Sequence, residues 1–475
     1  MGKTTGFLEY NRELAAYRPV SDRIKDYNDV VTHLSNKNIM IQTARCMDCG
    51  IPYCHSLGCS LHNLIPEWND AIYNNQWQEA YTRLEITNNF PEITGRICPA
   101  QCEASCTLSI NDSPVTIRQI ELAIIEHAFN NGWVIPNPPE FESRKRVAII
   151  GSGPAGLAAA QQLRHMGHMV TVFEKSQKPG GLLRYGIPNF KLEKYILDRR
   201  LKILVEEGIE FVTDVIVGED ISARYLKKKF DSVLLCQGAG EPRDLDVPGR
   251  NEQRGIHFAM EFLGKMNKHL MGEISEEKTI SAKGKTVVVL GGGDTGSDCV
   301  GTANRQGAKK VYQFEIMPKP EEWTAHWNPQ WPDWPRILRT SSSHEEGCEQ
   351  DWCVSTKEFI GKNNTLRSLK CCHVKWEKQD RSTGPIPVEI KNSDFTINAD
   401  LVLLSLGFVH VEHSRLLNEF GIEYDGRGNI KARNYQTSMP NIFTAGDANT
   451  GPSLVVHAIN HGRCAAEAVN AYLKK

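Results

Sequence analysis

Apolar side chains recur at helical spacing through the first 140 residues, interrupted by short loops. Between Pro66 and Leu84, the residues Trp68, Ile72, Tyr73, Trp77, Ala80, Tyr81 and Leu84 share one helical stripe, which predicts a helix over that span. Val115 to Asn130 repeats the pattern, and Gly132 closes it. The run Pro136-Asn-Pro-Pro139 predicts a linker, because proline lacks the donor that a helix or a central strand needs. At Arg146 the pattern changes. Val147 to Ile150 is an unbroken apolar run of the buried-strand type, followed by a glycine-rich turn, a helix from Leu157 to about Met166, and a strand from Val170 to Phe173 that ends on Glu174. The same succession returns at Thr286 to Leu290, with a second glycine turn, a helix through Arg305, and a strand from Val311 to Phe314 that ends on Glu315. Ser232 to Gly238 and Asp400 to Gly407 are further apolar strands closed by glycine.

Together these patterns predict an α/β chain. A helical domain occupies 1–143, followed by two Rossmann-like, three-layer units, the second inserted in the first. The first unit is expected over 144–254 and 409–475, the second over 255–408. The length of 475 residues is right for about three domains.

Charge narrows the partners. With 55 basic against 57 acidic residues and a formal net charge of -2, the chain offers no reason to expect nucleic acid or membrane. The start, Met1-Gly-Lys-Thr-Thr-Gly6, lacks an apolar signal run and misses the myristoylation pattern. No stretch approaches the ~18 apolar residues of a membrane span, so the expected compartment is the cytoplasm. Clustered cysteines in that reducing setting point to metal or redox groups rather than structural disulfides.

The two glycine turns carry the first chemistry. In Gly151-Ser-Gly-Pro-Ala-Gly156, Gly151 allows the tight turn, Gly153 lets a pyrophosphate approach the backbone, and Gly156 lets strand and helix pack closely. Glu174, 23 residues beyond Gly151, stands where a carboxylate meets a ribose. Gly446-Asp447 ends another strand and brings a carboxylate to where a ribityl chain would lie, and the segment from His457 can start a helix whose N-terminus faces a flavin. The first unit is therefore expected to bind FAD, with Gly181, Leu182 and Arg184 of the stretch Gly180 to Pro188 beside the flavin. That stretch has no cysteine pair, which argues against a thiol-disulfide reductase.

The second turn, with Gly291, Gly293, Asp294, Thr295 and Gly296, is expected to hold a nicotinamide cofactor. Glu315, 24 residues past Gly291, would accept a hydrogen bond from the free 2′-hydroxyl of NADH and repel the 2′-phosphate of NADPH, which predicts a preference for NADH. Arg336 and Arg339, which could fold back to a phosphate, keep NADPH open. They follow the loop Trp323 to Trp334, which carries four of the nine tryptophans and reads as a rigid packing segment.

Seven of the fourteen cysteines lie in the first quarter of the chain: Cys46, Cys49, Cys54 and Cys59, then Cys98, Cys102 and Cys106. Paired Cys-x2-Cys knuckles mark most zinc sites, but here only Cys46 and Cys49 have that spacing. The runs resemble ferredoxin-type ligand sets, so iron–sulfur clusters are favoured, with zinc the alternative. Two four-iron clusters need eight ligands. Seven cysteines imply a non-cysteine ligand, a missing cluster or a three-iron one.

Gly6-Phe-Leu-Glu-Tyr10, Cys46-Met-Asp-Cys-Gly-Ile-Pro-Tyr-Cys54, Ile65-Pro-Glu-Trp-Asn69, Gly95-Arg-Ile-Cys-Pro99, Gly180-Gly-Leu-Leu-Arg-Tyr-Gly-Ile-Pro188 and Ala445-Gly-Asp447 together resemble the small (beta) subunits of glutamate synthase. The resemblance covers essentially the whole chain and extends to segments of dihydropyrimidine dehydrogenase and of NADH-dependent ferredoxin oxidoreductases. It implies a subunit that oxidises NAD(P)H at FAD and sends electrons through two [4Fe-4S] clusters to FMN on a large (alpha) subunit, where L-glutamine and 2-oxoglutarate become L-glutamate. A ferredoxin-type oxidoreductase subunit serving a different partner is the alternative it allows.

The resemblance further implies that Cys46, Cys49, Cys54 and Cys106 hold one cluster. Cys59, Cys98 and Cys102 would hold the other, with Glu121 at the position of a glutamine ligand in the dehydrogenase relative. Two departures stand out: Ser60 where relatives often carry proline, and a short interval from Cys98 to Cys102. Residue 2 is Gly, not the cysteine nucleophile of an amidotransferase, so the chain alone is expected to oxidise NADH toward artificial acceptors without making glutamate.

Overall fold

The computed structural model describes residues 2–321, 328–377 and 385–475; Trp323 and Trp327 lie outside them. Two five-stranded parallel sheets form the frame. In the first, the strand order is Ile442–Thr444, Ser232–Leu235, Arg146–Ile150, Met169–Phe173, Glu210–Val212. In the second it is Ile256–Phe258, Leu401–Leu404, Thr286–Leu290, Lys310–Glu315, Glu349–Trp352. The two orders correspond strand for strand around the central strand that precedes each glycine turn. The last strand of the first sheet, Ile442–Thr444, arrives after the chain has completed the second sheet.

Helices Pro154–His165 and Val455–Leu473 lie against each other on the first sheet, closely enough that a Cβ on Gly462 would come within 2.2 Å of the Ala155 carbonyl oxygen. The second sheet has helices Ala259–Leu270 and Asp294–Arg305 on one face. Its other face packs on an antiparallel sheet of Val354–Lys362, Thr365–Glu377, Ile386–Glu389 and Phe395–Asn398, through Val288, Leu290, Phe359 and Leu369.

The helical segment shares its core with the first sheet: Trp68, Phe90, Ile120 and Ile124 belong to one apolar cluster with Leu157, Ala159 and Ile459. The single helix expected from Pro66 to Leu84 is two helices, Ile65–Tyr73 and Trp77–Thr87. Asn75 between them takes a left-handed conformation (φ 57°), which asparagine tolerates better than most residues, so both halves bury their stripe in the same core.

Buried ion pairs fix the units to one another. Arg200 meets Glu92 of the helical segment with Nε to Oε1 at 2.7 Å and Nη2 to Oε2 at 2.9 Å. The side chain of Glu346 is fully buried between Arg305 and Arg23, accepting from Arg23 Nε at 2.8 Å. Removing one member of such a pair typically costs about 3–5 kcal/mol, because the other is left as an unpaired buried charge. Among the described residues no helix is long and apolar enough to cross a membrane.

Candidate functional site

The two glycine turns have the same construction. Gly151 (φ 102°) and Gly291 (φ 117°) sit in the left-handed half of backbone space. A Cβ on either would strike the carbonyl oxygen just past the neighbouring strand, Cys236 at 2.5 Å or Ser405 at 2.2 Å. A Cβ on Gly156 would lie 2.0 Å from the Gly151 oxygen, and one on Gly296 2.4 Å from the Gly291 oxygen. At Gly153 and Gly293 a Cβ would meet no protein atom within 4 Å, so it would project into open space at a helix N-terminus, where a phosphate has room to approach N–H groups. This is a cradle that side chains would fill, and it fits a dinucleotide in both units.

Around the first turn the acid is held tightly. Glu174 is buried, and its carboxylate accepts from the Ser152 N–H (3.2 Å), the Ser152 hydroxyl and the Ser176 N–H (2.8 Å). Ser152 Oγ also accepts from the Gly180 N–H at 2.9 Å, tying the turn to the stretch from Gly180 to Pro188. Gly181 (φ 52°) leaves room there: a Cβ would come 2.9 Å from the Gly153 Cα. Sequence reasoning passed over Ser152, although its place inside the turn was the available signal. Leu182 is exposed, whereas Arg184 is buried with Nε on the Pro179 carbonyl (2.6 Å) and an ion pair to Asp198. Gly446 (φ 67°) precedes Asp447, whose Oδ1 accepts from the Ser453 hydroxyl at 2.8 Å, and burial pushes the Asp447 carboxyl up to about 6.

Around the second turn, Glu315 accepts from the Gly292 N–H and from the Met317 N–H (2.9 Å), while Gly292, Gly293 and Asp294 are exposed and Thr295 is half-buried. Arg339 stacks on Trp334 at 3.9 Å and faces the charge of Asp294; Arg336 is exposed.

The seven cysteines divide between two cavities. Cys46, Cys49, Cys54 and Cys106 line one. Cys59, Cys98, Cys102 and Glu121 line another. Backbone N–H groups point at the sulfurs. Asp48 serves Cys46, His62 serves Cys59 and Ala100 serves Cys98, and all three donors are in left-handed conformations. Burial pushes Cys46 and Cys98 up to about 12 and Cys59 up to about 11, so the thiolates that a metal requires are costly without its positive charge. Trp68 Nε1, buried and without a hydrogen-bond partner, borders the second cavity; Asn69 borders the first, near enough to Cys46 to oppose the upward shift. Donors of this kind suit cluster sulfur.

Glu121 is buried; its Oε1 accepts from Asn88 Nδ2 (2.9 Å) and from the Thr94 hydroxyl, and burial pushes it up to about 7. No sequence signal marked Asn88, Thr94 or Trp68 as neighbours of the cavities.

Comparison with known proteins agrees with both halves. Residues 145–462 match the pyridine nucleotide-disulphide oxidoreductase family, and residues 23–133 match dihydropyrimidine dehydrogenase domain II, 4Fe-4S cluster. Solved structures of FprA from Mycobacterium tuberculosis share the fold with TM-scores of 0.55–0.56 at 18% identity, covering 70% of this chain and 85% of theirs. The glutamate synthase [NADPH] small chain of Mycobacterium tuberculosis is 50% identical over 100% of this chain and 96% of its own length. That of Bacillus subtilis is 44% identical over 100% and 99%. The glutamate synthase [NADH] of Schizosaccharomyces pombe is 45% identical over 98% of this chain, which spans 23% of that protein. The chain belongs to the glutamate synthase small-subunit family.

Proposed function

We propose that this chain is the electron-input subunit of a cytoplasmic glutamate synthase, oxidising NADH at FAD and passing electrons through two [4Fe-4S] clusters to a large subunit that carries FMN and forms L-glutamate from L-glutamine and 2-oxoglutarate. The observation that carries the reading is the pairing of two dinucleotide cradles with two cysteine-lined cavities in one chain. FAD supplies the exchange between hydride chemistry and single electrons, which is the cofactor's own chemistry. The protein's residues bind and orient. Gly151, Gly153, Gly156 and Glu174 would hold FAD, with Gly181, Leu182, Gly446 and Asp447 beside it. Gly291, Gly293, Asp294, Thr295, Gly296 and Glu315 would hold the nicotinamide nucleotide. Arg184, committed to Pro179 and Asp198, would act by shaping the stretch that faces the flavin. The first cavity would take one cluster on its four thiolates and the second would take another on three thiolates and Glu121.

The relatives are named for NADPH and for NADH alike, so the choice of donor rests on Glu315. Its carboxylate, fixed by two N–H groups, favours a free 2′-hydroxyl over a phosphate. The test is reconstitution with the large subunit encoded in the same organism. Glutamate formation that requires both chains, glutamine, 2-oxoglutarate and NADH supports the reading; NADH oxidation coupled to a partner that does not use glutamine contradicts it.

A further inference from the structure

Residues 328–336 belong to the second nucleotide unit, yet they touch the cysteine segments of the helical one. Buried Asn328 closes this loop on itself: Nδ2 donates to the Arg336 carbonyl at 2.8 Å, and Oδ1 accepts from the Arg336 N–H at 2.6 Å. At the tip, Trp331 Nε1 donates to the Cys106 carbonyl at 3.1 Å, and its ring meets Tyr53 edge-on with centroids 4.8 Å apart. The next residue, Pro332, accepts from the Ser105 hydroxyl at 2.7 Å. Tyr53 adjoins Cys54, and Ser105 adjoins Cys106. One tryptophan therefore spans both chain segments that deliver thiols to the first cavity.

That cavity has a geometric problem to solve. Cys46, Cys49 and Cys54 come from one short stretch, while Cys106 arrives 52 residues later on a separate segment. The Cys106 carbonyl also accepts from the Ser109 N–H (2.9 Å) and hydroxyl (2.7 Å), which shape its own turn. What Trp331 adds is a tie from that turn to the other segment, through a loop already braced by Asn328.

We propose that Trp331 is a positioning residue for the cluster of the first cavity, supplied by the nicotinamide unit and holding Cys106 in register with Cys46, Cys49 and Cys54. The inference rests on the cluster reading above. A hydrogen bond and an edge-on aromatic pair are each modest contributions, so the expected effect is selective rather than global.

The test uses anaerobically isolated holoprotein carrying Trp331→Phe, which keeps the ring against Tyr53 but loses the N–H, and Trp331→Ala, which loses both. The rate at which NADH bleaches the flavin should stay within about twofold of wild type in each. Of the two reduced-cluster paramagnetic resonance signals, the one missing from Cys106→Ser should shift in Trp331→Phe. In Trp331→Ala it should decay several-fold faster in air, with iron falling from roughly eight toward roughly four atoms per chain. Unchanged signals and air lifetimes in both variants overturn the proposal. So does simultaneous loss of flavin and both clusters in Trp331→Ala alongside wild-type behaviour in Trp331→Phe, which marks packing alone. A wild-type protein without iron overturns the cluster reading itself, before any variant is made.

Discussion

Glu174 and Glu315 stand at matching points of two sheets with the same strand arrangement, each at the end of the strand that follows a glycine turn and its helix. Their surroundings differ. Glu174 is 5% exposed and is bound to Ser152, which is itself fully buried and linked to Gly180. Glu315 is half-buried, and the turn it braces presents Gly292, Gly293 and Asp294 to solvent. The same backbone solution is thus sealed in one unit and open in the other. A sealed cradle suits a cofactor that stays through every turnover, and an open one suits a nucleotide that must leave after each hydride. On this reading the contacts around each turn, rather than the glycines themselves, are expected to set how readily its nucleotide exchanges.

Equivalent glycine substitutions should break this symmetry with the largest effect. Gly156→Ala forces a Cβ to within 2.0 Å of a backbone oxygen in the sealed turn, and Gly296→Ala to within 2.4 Å of one in the open turn. The first should leave less than about a tenth of the flavin bound after purification, whereas the second should keep flavin and raise KM for NADH by roughly 10–100-fold. Flavin content by absorbance and steady-state kinetics with an artificial acceptor decide it; equal flavin loss in both variants would mean the two turns are not functionally distinct.

Glu315→Gln sharpens the contrast from the open side. Removing the charge should lower the preference for NADH over NADPH by about tenfold with little change in kcat, the scale of one charge-assisted hydrogen bond. An unchanged ratio of kcat/KM for the two nucleotides would exclude Glu315 from the discrimination.

An effect on stability rather than on turnover concerns Asp447 on the sealed side. Burial raises it to about 6 in the fold against 3.8 for the free side chain. The flavin-free folded state therefore holds more protons than the unfolded chain between about pH 4 and pH 6, and its stability falls as pH rises through that window. Asp447→Asn should flatten the slope, gaining about 1–2 kcal/mol at neutral pH after allowance for partial solvation. Denaturant melts at pH 4.5 and 7 measure it, and parallel pH profiles for variant and wild type would contradict it.

Both nucleotide units were legible in the sequence because their signal is local: an apolar strand, a glycine turn and an acid at a fixed interval. Two turns between elements escaped, both at asparagine pairs. Asn74-Asn75 divides the Pro66–Leu84 stretch, with Asn75 left-handed, although the apolar stripe continues on both sides. Asn363-Asn364, left-handed at φ 52° and 55°, joins the two long strands Val354–Lys362 and Thr365–Glu377 in a two-residue hairpin. Asn-rich tight turns of this kind are a hairpin signal, here hidden because neither strand alternates cleanly: Val354–Lys362 is mostly half-buried, and Thr365–Glu377 buries the adjacent Cys371 and Cys372. The assignment of Cys106 to the first cavity was out of reach of spacing altogether. It follows from how the turn after Gln101–Ala104 packs beside Tyr53–Ser56, a tertiary fact that only the family resemblance anticipated.

In the proposed function, electrons enter in pairs on the sealed unit and leave singly by way of the two cysteine cavities. Single-turnover mixing of NADH with the reconstituted two-subunit enzyme carrying Cys102→Ser tests it most directly. The small-subunit flavin should bleach at the wild-type rate, while reducing equivalents pass on to the large subunit at least about 100-fold more slowly. Arrival at the wild-type rate would contradict the account.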